Sequence, residues 1–169
     1  MTTANIKIAN APCSWGVLEF GLEGKLAGYE QVLDEIADTG YMGTELGDWG
    51  FMPTDPHVLA AEIKRRNLTL LGAFVPVALA DEGAHEGGVD KALKVAELMY
   101  NAGYTNAFVV LADDNGTVAN RTQNAGRIST WESLSPAHLK VFADGAGRIA
   151  IAVKQKLGLR TVFHHHCGG

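Results

Sequence analysis

At 169 residues the chain is long enough for one ordinary domain, and 47% hydrophobic against 20% charged residues place it with soluble globular proteins, not disordered ones. A formal net charge of −5, with no basic run longer than Lys64-Arg65-Arg66, argues against a nucleic-acid partner. The most apolar stretch, Leu70 to Ala80, is far too short to cross a bilayer, which argues against a membrane partner.

The Met1-Thr2-Thr3 start leads directly into an apolar run, so no signal peptide is expected. Cys13 and Cys167 are isolated thiols that suit a reducing, cytoplasmic location better than a disulfide scaffold.

The first strand is predicted over Ile6 to Asn10. A helix follows with Leu26, Tyr29, Val32, Leu33, Ile36 and Ala37 on one stripe, and Gly40 ends it. The second strand is Met42 to Gly47. Asp55-Pro56 marks the next helix start, with Asp as N-cap and Pro at the first helical position, and Asn67 is its stop. Leu68 to Val75 is the third strand, Gly88 to Ala102 the third helix and Ala107 to Ala112 the fourth strand. Ser135-Pro136 opens a fourth helix that runs to Leu157, and a fifth strand spans Leu159 to about His166.

Five strands and four helices in strict alternation imply βαβ units and a parallel sheet. Helices one and three end alike, in Ala37-Asp38-Thr39-Gly40-Tyr41 and Tyr100-Asn101-Ala102-Gly103-Tyr104. A duplication would explain this, and so would the need of every αβ turn for a residue that tolerates positive φ. No Gly-x-Gly-x-x-Gly follows the first strand, so a dinucleotide-binding open sheet has no support. Polar or distinctive residues instead close the strands, as is the habit of closed (β/α)8 barrels. The expected fold is therefore α/β, a parallel (β/α)8 TIM-barrel type with about the first four and a half βα units present. A full barrel needs about 250 residues, so residues 1–169 are expected to form the N-terminal half of a single barrel domain.

His164, His165 and His166 are the most specific chemical feature. At a strand end His164 and His166 share one face while His165 takes the other, and imidazole suits Zn, Mn, Co and Fe. A tag remnant is the bland alternative, but the run has only three histidines and continues into Cys167-Gly168-Gly169. Glu45, between Gly43 and Gly47, points away from Met42, Thr44 and Leu46, hence toward the barrel axis; it is either functional or half of a structural ion pair. Trp15 could stack on a sugar ring or cap the barrel mouth. Cys13 reads as a packed thiol, since no base or helix N-terminus is evident beside it. The polar segment Asp113 to Ser133 is too long for an ordinary βα loop, and Arg121, Arg127 and Trp131 there could grip an anionic or polyhydroxy ligand. A solvated excursion is the alternative. His85-Glu86, His57 and His138 are expected at the surface.

With these residues laid out, Ala11-Pro12-Cys13-Ser14-Trp15-Gly16, Gly40-Tyr41-x-Gly43-Thr44-Glu45-Leu46-Gly47 and Phe163-His164-His165-His166-Cys167-Gly168 resemble the xylose-isomerase-like barrels of the sugar phosphate isomerase/epimerase superfamily. The nearest branch is that of the myo-inosose dehydratases, which share the GTE and HHH runs. The resemblance implies a metal-dependent isomerase, epimerase or dehydratase that abstracts a proton next to the carbonyl of a keto-sugar or inosose.

It also implies one divalent metal (Mn, Co, Mg or Zn) with ligands from the ends of strands five to eight, commonly a Glu first. His164 stands where that Glu would be, a departure that means either a His ligand or transfer of the metal role to His166. The remaining ligand positions would lie beyond Gly169, so the metal is incompletely liganded by this chain. Glu45 is then the catalytic acid/base or orienting group, with Trp15, Arg127 and His166 as substrate contacts. The expected partners are a small sugar or cyclitol and either a second copy of the chain or a missing C-terminal half. That expectation leaves a sheet face with Ile6, Ile8, Val109 or their neighbours uncovered. The rival reading is a non-catalytic fragment or assembly module of the same fold; an endonuclease-type barrel would want several metals and a basic face.

Overall fold

The computed structural model describes residues 6–16, 27–114 and 118–166. Leu26, Cys167 and Gly168, named above, lie outside the described residues.

Five strands, β1 (Ala9–Asn10), β2 (Gly43–Glu45), β3 (Thr69–Val77), β4 (Phe108–Asp113) and β5 (Arg160–His164), hydrogen-bond in the order of the chain. The pairs β1–β2, β2–β3 and β4–β5 are parallel. The connections carry α1 (Tyr29–Asp38), α2 (Pro56–Lys64), α3 (His85–Asn101), the short α4 (Ala119–Gln123) and α5 (Pro136–Leu157). Each parallel crossover needs such a helix, because no tight turn can return the chain to the same end of the sheet. Among the described residues no helix is long and apolar enough to cross a membrane.

The chain divides into two compact units, residues 1–73 with 98–107 and residues 74–97 with 108–169. In the first, Val32, Leu33 and Ile36 of α1 and Leu59 and Ile63 of α2 are fully buried, the i, i+3/i+4 stripe of core-facing helices. Asp55 caps α2 as the sequence requires, its side chain accepting from the backbone N–H groups of His57 and Val58. Asn67 has a φ of 58°, and Gly40, Gly103 and Gly158 lie at 91°, 93° and 73°. All four αβ turns thus use a positive φ, which explains the repeated helix endings without a duplication.

In the second unit α5 buries Ile149 and Val153, and β4 buries Val109 and Leu111. Of the residues expected on an uncovered face, Ile6 and Ile8 are 79% and 62% exposed; in β4 Val109 is buried and its neighbours Phe108 and Val110 are half-buried. Strand alternation assigns a residue to one of two faces but does not say which face the helices cover.

A larger correction concerns His85, expected at the surface and found 1% exposed. It is the first residue of α3, and its Nε2 lies 2.9 Å from the Leu79 carbonyl oxygen. Gly145 of α5 makes room for the ring: a Cβ there would come within 2.7 Å of Cε1. The clue was in the spacing, since His85 continues the buried series Gly88, Ala92, Ala96 and Met99 by one more turn.

The long segment after β4 is also more ordered than a plain loop. Thr122 donates from its hydroxyl to the Val118 carbonyl, and Asn124 from its amide to the Asn120 carbonyl, closing α4. A capping box follows, with the Ser129 side chain on the backbone N–H of Glu132 and the Glu132 carboxylate on that of Ser129. Five residues without an apolar stripe leave no periodic signal, so α4 was not foreseen.

Candidate functional site

In the first unit Glu45 closes β2 and is half-buried, while its neighbours Thr44 and Leu46 are 0% and 2% exposed. Gly43 lies on the Glu45 side of the strand, so tight against β3 that a Cβ would stand 3.0 Å from the Thr69 carbonyl oxygen. The glycine therefore lets β2 approach β3, and the carboxylate stands at the C-terminal end of the strand, where barrels carry their chemistry.

Trp15 sits in a 3-10 turn, Pro12–Trp15, just after β1. Its indole N–H donates to Glu35 Oε2 of α1 at 2.5 Å, and the amide of Gln31 donates to Oε1 of the same carboxylate. These two bonds, Gln31 first, hold the Glu35 carboxyl below its ordinary range. Contact between Trp15 and a ligand would therefore use the ring face. Cys13, expected to be packed, is exposed.

The second unit gathers the histidines. Ring centroids of His164 and His166 are 4.5 Å apart at 71°, and both rings stand edge-on to Phe74, at 6.3 and 5.9 Å. The strand neighbour Phe163 instead meets Phe142 of α5 at 5.6 Å. Thus His164 and His166 share the Phe74 side of the sheet, and Phe163 faces the helix. Burial first, then the proximity of His164 and His165, pushes His166 below the ordinary histidine range.

Beside these rings is a cavity of about 330 Å³ whose polar lining comprises Asp113, Arg121, Glu132, Ser133, His165 and His166. Leu139, Phe142 and Phe163 are among its apolar walls. Asp113, the last residue of β4, is occupied: its Oδ1 accepts from the Leu79 backbone N–H at 2.9 Å. Arg127 and Trp131 are both exposed, Trp131 at 84%, and Arg121 is the arginine of this segment that lines the cavity. The sequence offered no way to rank the two arginines, because that depends on how α4 turns.

Two imidazoles are suitable donors for a divalent cation, yet among the described residues no group of three His, Cys, Asp or Glu side chains gathers to hold one. Structural and catalytic sites need three or four protein ligands. The described residues alone therefore do not fit a complete metal centre.

No protein-family model matches the chain. It is 26% identical over 167 residues to an inosose dehydratase of Geobacillus kaustophilus, covering 99% of this chain and 53% of that protein. An inosose dehydratase of Clostridium perfringens is also 26% identical, with 99% and 54% covered. The chain thus spans about half the length of the curated relatives it matches.

Among solved structures, a sugar phosphate isomerase/epimerase from Parabacteroides distasonis superposes with a TM-score of 0.60 at 14% identity, over 97% of this chain and 52% of that one. A xylose isomerase-like TIM barrel/4-hydroxyphenylpyruvate dioxygenase fusion protein superposes with a TM-score of 0.64 at 14% identity, over 96% of this chain and 22% of that one. By sequence the chain is similar to inosose dehydratases along nearly its whole length, and its fold is that of part of a TIM barrel.

Proposed function

We propose that the protein is a sugar- or polyol-modifying enzyme of the isomerase, epimerase or hydro-lyase kind, moving a proton next to the carbonyl of a keto-sugar or inosose. The observation that carries this reading is the similarity to inosose dehydratases across 99% of the chain. Supporting it, a half-buried carboxylate ends β2 and two neighbouring imidazoles stand at the end of β5, groups of the kind that accept and return protons.

In this proposal Glu45 is the acid/base or orienting carboxylate. Trp15, Arg127 and His166 contact the substrate, and His164 is the position at which a divalent metal would be sought. The described donors do not complete such a site, so no step is routed through a metal. A cytoplasmic location and association with a second copy or a C-terminal half belong to the same proposal.

The test is binding rather than turnover, because two imidazoles and one carboxylate are too few groups to fix a reaction geometry. Saturation-transfer NMR with an inosose, a ketohexose and a straight-chain diol should show saturation of the first two alone. Glu45→Gln or His166→Gln should weaken it. If the folded chain saturates neither keto compound, the proposal fails.

A further inference from the structure

The cavity bounded by Arg121 and His166 has polar neighbours of two kinds. Its acids are already engaged: Asp113 accepts from Leu79, and the Glu132 carboxylate accepts from the Ser129 backbone and from the Asn120 amide. Its nitrogens are not: Arg121 Nε and His166 Nδ1 are buried, and neither has a hydrogen-bond partner. An unsatisfied buried donor costs about 1–3 kcal/mol, and native proteins leave few. Arg121 Nε can only donate, so whatever satisfies it must bring an acceptor, and a negatively charged one gives the stronger bond.

Apart from Ser133 and His165, the remaining walls are apolar. Phe142 and Phe163 meet edge to face at 5.6 Å, and Leu139 lies beside them, itself 54% exposed. A volume of about 330 Å³ is at the small end of ligand pockets. These walls do not suit a polyol, whose hydroxyls would find few partners, nor a doubly charged phosphate, since Arg121 is the one Lys or Arg side chain in the lining.

We propose that this cavity binds a small organic carboxylate, its oxygens taken by Arg121 Nε and His166 Nδ1 and its hydrocarbon or aromatic body packed on Phe142, Phe163 and Leu139. The site shares His166 with the keto-sugar site proposed above, but it is argued from Arg121 and the cavity walls and does not depend on that reading. Bound there, such a ligand ties α4 to the end of β5.

The test uses the whole chain with excess EDTA, which removes any metal that could bind a carboxylate by itself. Phenylacetate is the probe; 2-phenylethanol, inorganic phosphate and myo-inositol are the comparisons, all read by saturation-transfer NMR and isothermal titration. Phenylacetate is expected to bind, with 2-phenylethanol and phosphate each at least about tenfold weaker and myo-inositol showing no competition.

Arg121→Gln is expected to weaken phenylacetate about tenfold or more, and Arg121→Lys to do so less. Arg121 lies on a short surface helix, and an unchanged melting curve will show that the variant folds. The proposal is overturned if 2-phenylethanol binds as well as phenylacetate, if phosphate or myo-inositol displaces it, or if Arg121→Gln binds it unchanged. A failure of inosose to bind would leave this result untouched.

Discussion

Arg66 shows how far a single residue's role can lie from its sequence context. It ends the basic run Lys64-Arg65-Arg66, yet its side chain is 4% exposed. Burying a guanidinium is tolerable only when each nitrogen is paired, and here each is. Nε donates to Asp34 Oδ1 at 2.5 Å, one terminal nitrogen to Glu62, and the other to the Glu30 carbonyl oxygen. The result clamps α1 to α2. Arg65 and then Arg66 hold the Glu62 carboxyl below its usual range by hydrogen bonding.

A depressed carboxyl stabilises the fold above its unfolded-state pKa and loses that contribution as the pH falls through the folded value. Glu62→Gln should therefore lower Tm at pH 7, and the gap to the parent should close as the pH drops below about 4.3. Thermal melts at half-unit pH steps measure this; a gap independent of pH would show that the charge of Glu62 does not matter.

At the scale of elements, the contact of α3 with α5 is the most sharply constrained. His85 fits because residue 145 has no side chain, and Gly88 because a Cβ there would come within 2.6 Å of Val77 Cγ1. Overpacking of such a contact typically costs about 1–3 kcal/mol. Gly145→Ala is expected to lose that much in urea unfolding, although Ala is the better helix former. His85→Ala should recover part of it in the double variant. Strict additivity of the two losses would show that the ring and the new methyl do not meet.

This contact also marks where the sequence stops being informative. Strands, helices and the caps at Asp55 and Asn67 follow from short-range rules of period and backbone preference, and they emerged within a few residues of their places. The burial of His85 was implicit in its spacing, but a titratable residue on an apolar stripe reads as an interruption. The cavity beside α4 was not legible, because it depends on side-chain hydrogen bonds that close a helix without apolar periodicity. Among the candidate residues, the shared face of His164 and His166 follows from strand alternation, whereas the choice of Arg121 over Arg127 as a cavity residue does not.

At the scale of the molecule, β1 and β5 stand at the two ends of the hydrogen-bonded order, each with one strand neighbour. An outermost strand offers unpaired N–H and C=O groups to any other chain, and soluble proteins ordinarily blunt such edges with charge or proline. Here Lys7 and Arg160 supply charge at the edges, but exposed apolar residues stand beside them. Ile6 and Ile8, just before β1, are 79% and 62% exposed, and Val162 and Phe163 of β5 are 41% and 49% exposed. Large apolar side chains gathered at sheet edges mark surfaces that become covered. The chain alone is therefore expected to self-associate: sedimentation equilibrium at micromolar concentration should give a mass well above 18.0 kDa. Replacing Ile8 and Val162 with lysine should shift the population toward monomer, since a charged edge resists pairing. Those variants should also show greater binding of an apolar dye if the edges were covered only by the partner copy. A parent chain that sediments as a monomer, melts cooperatively and binds no dye would show that these edges need no cover, and the expectation of a partner would fall with it.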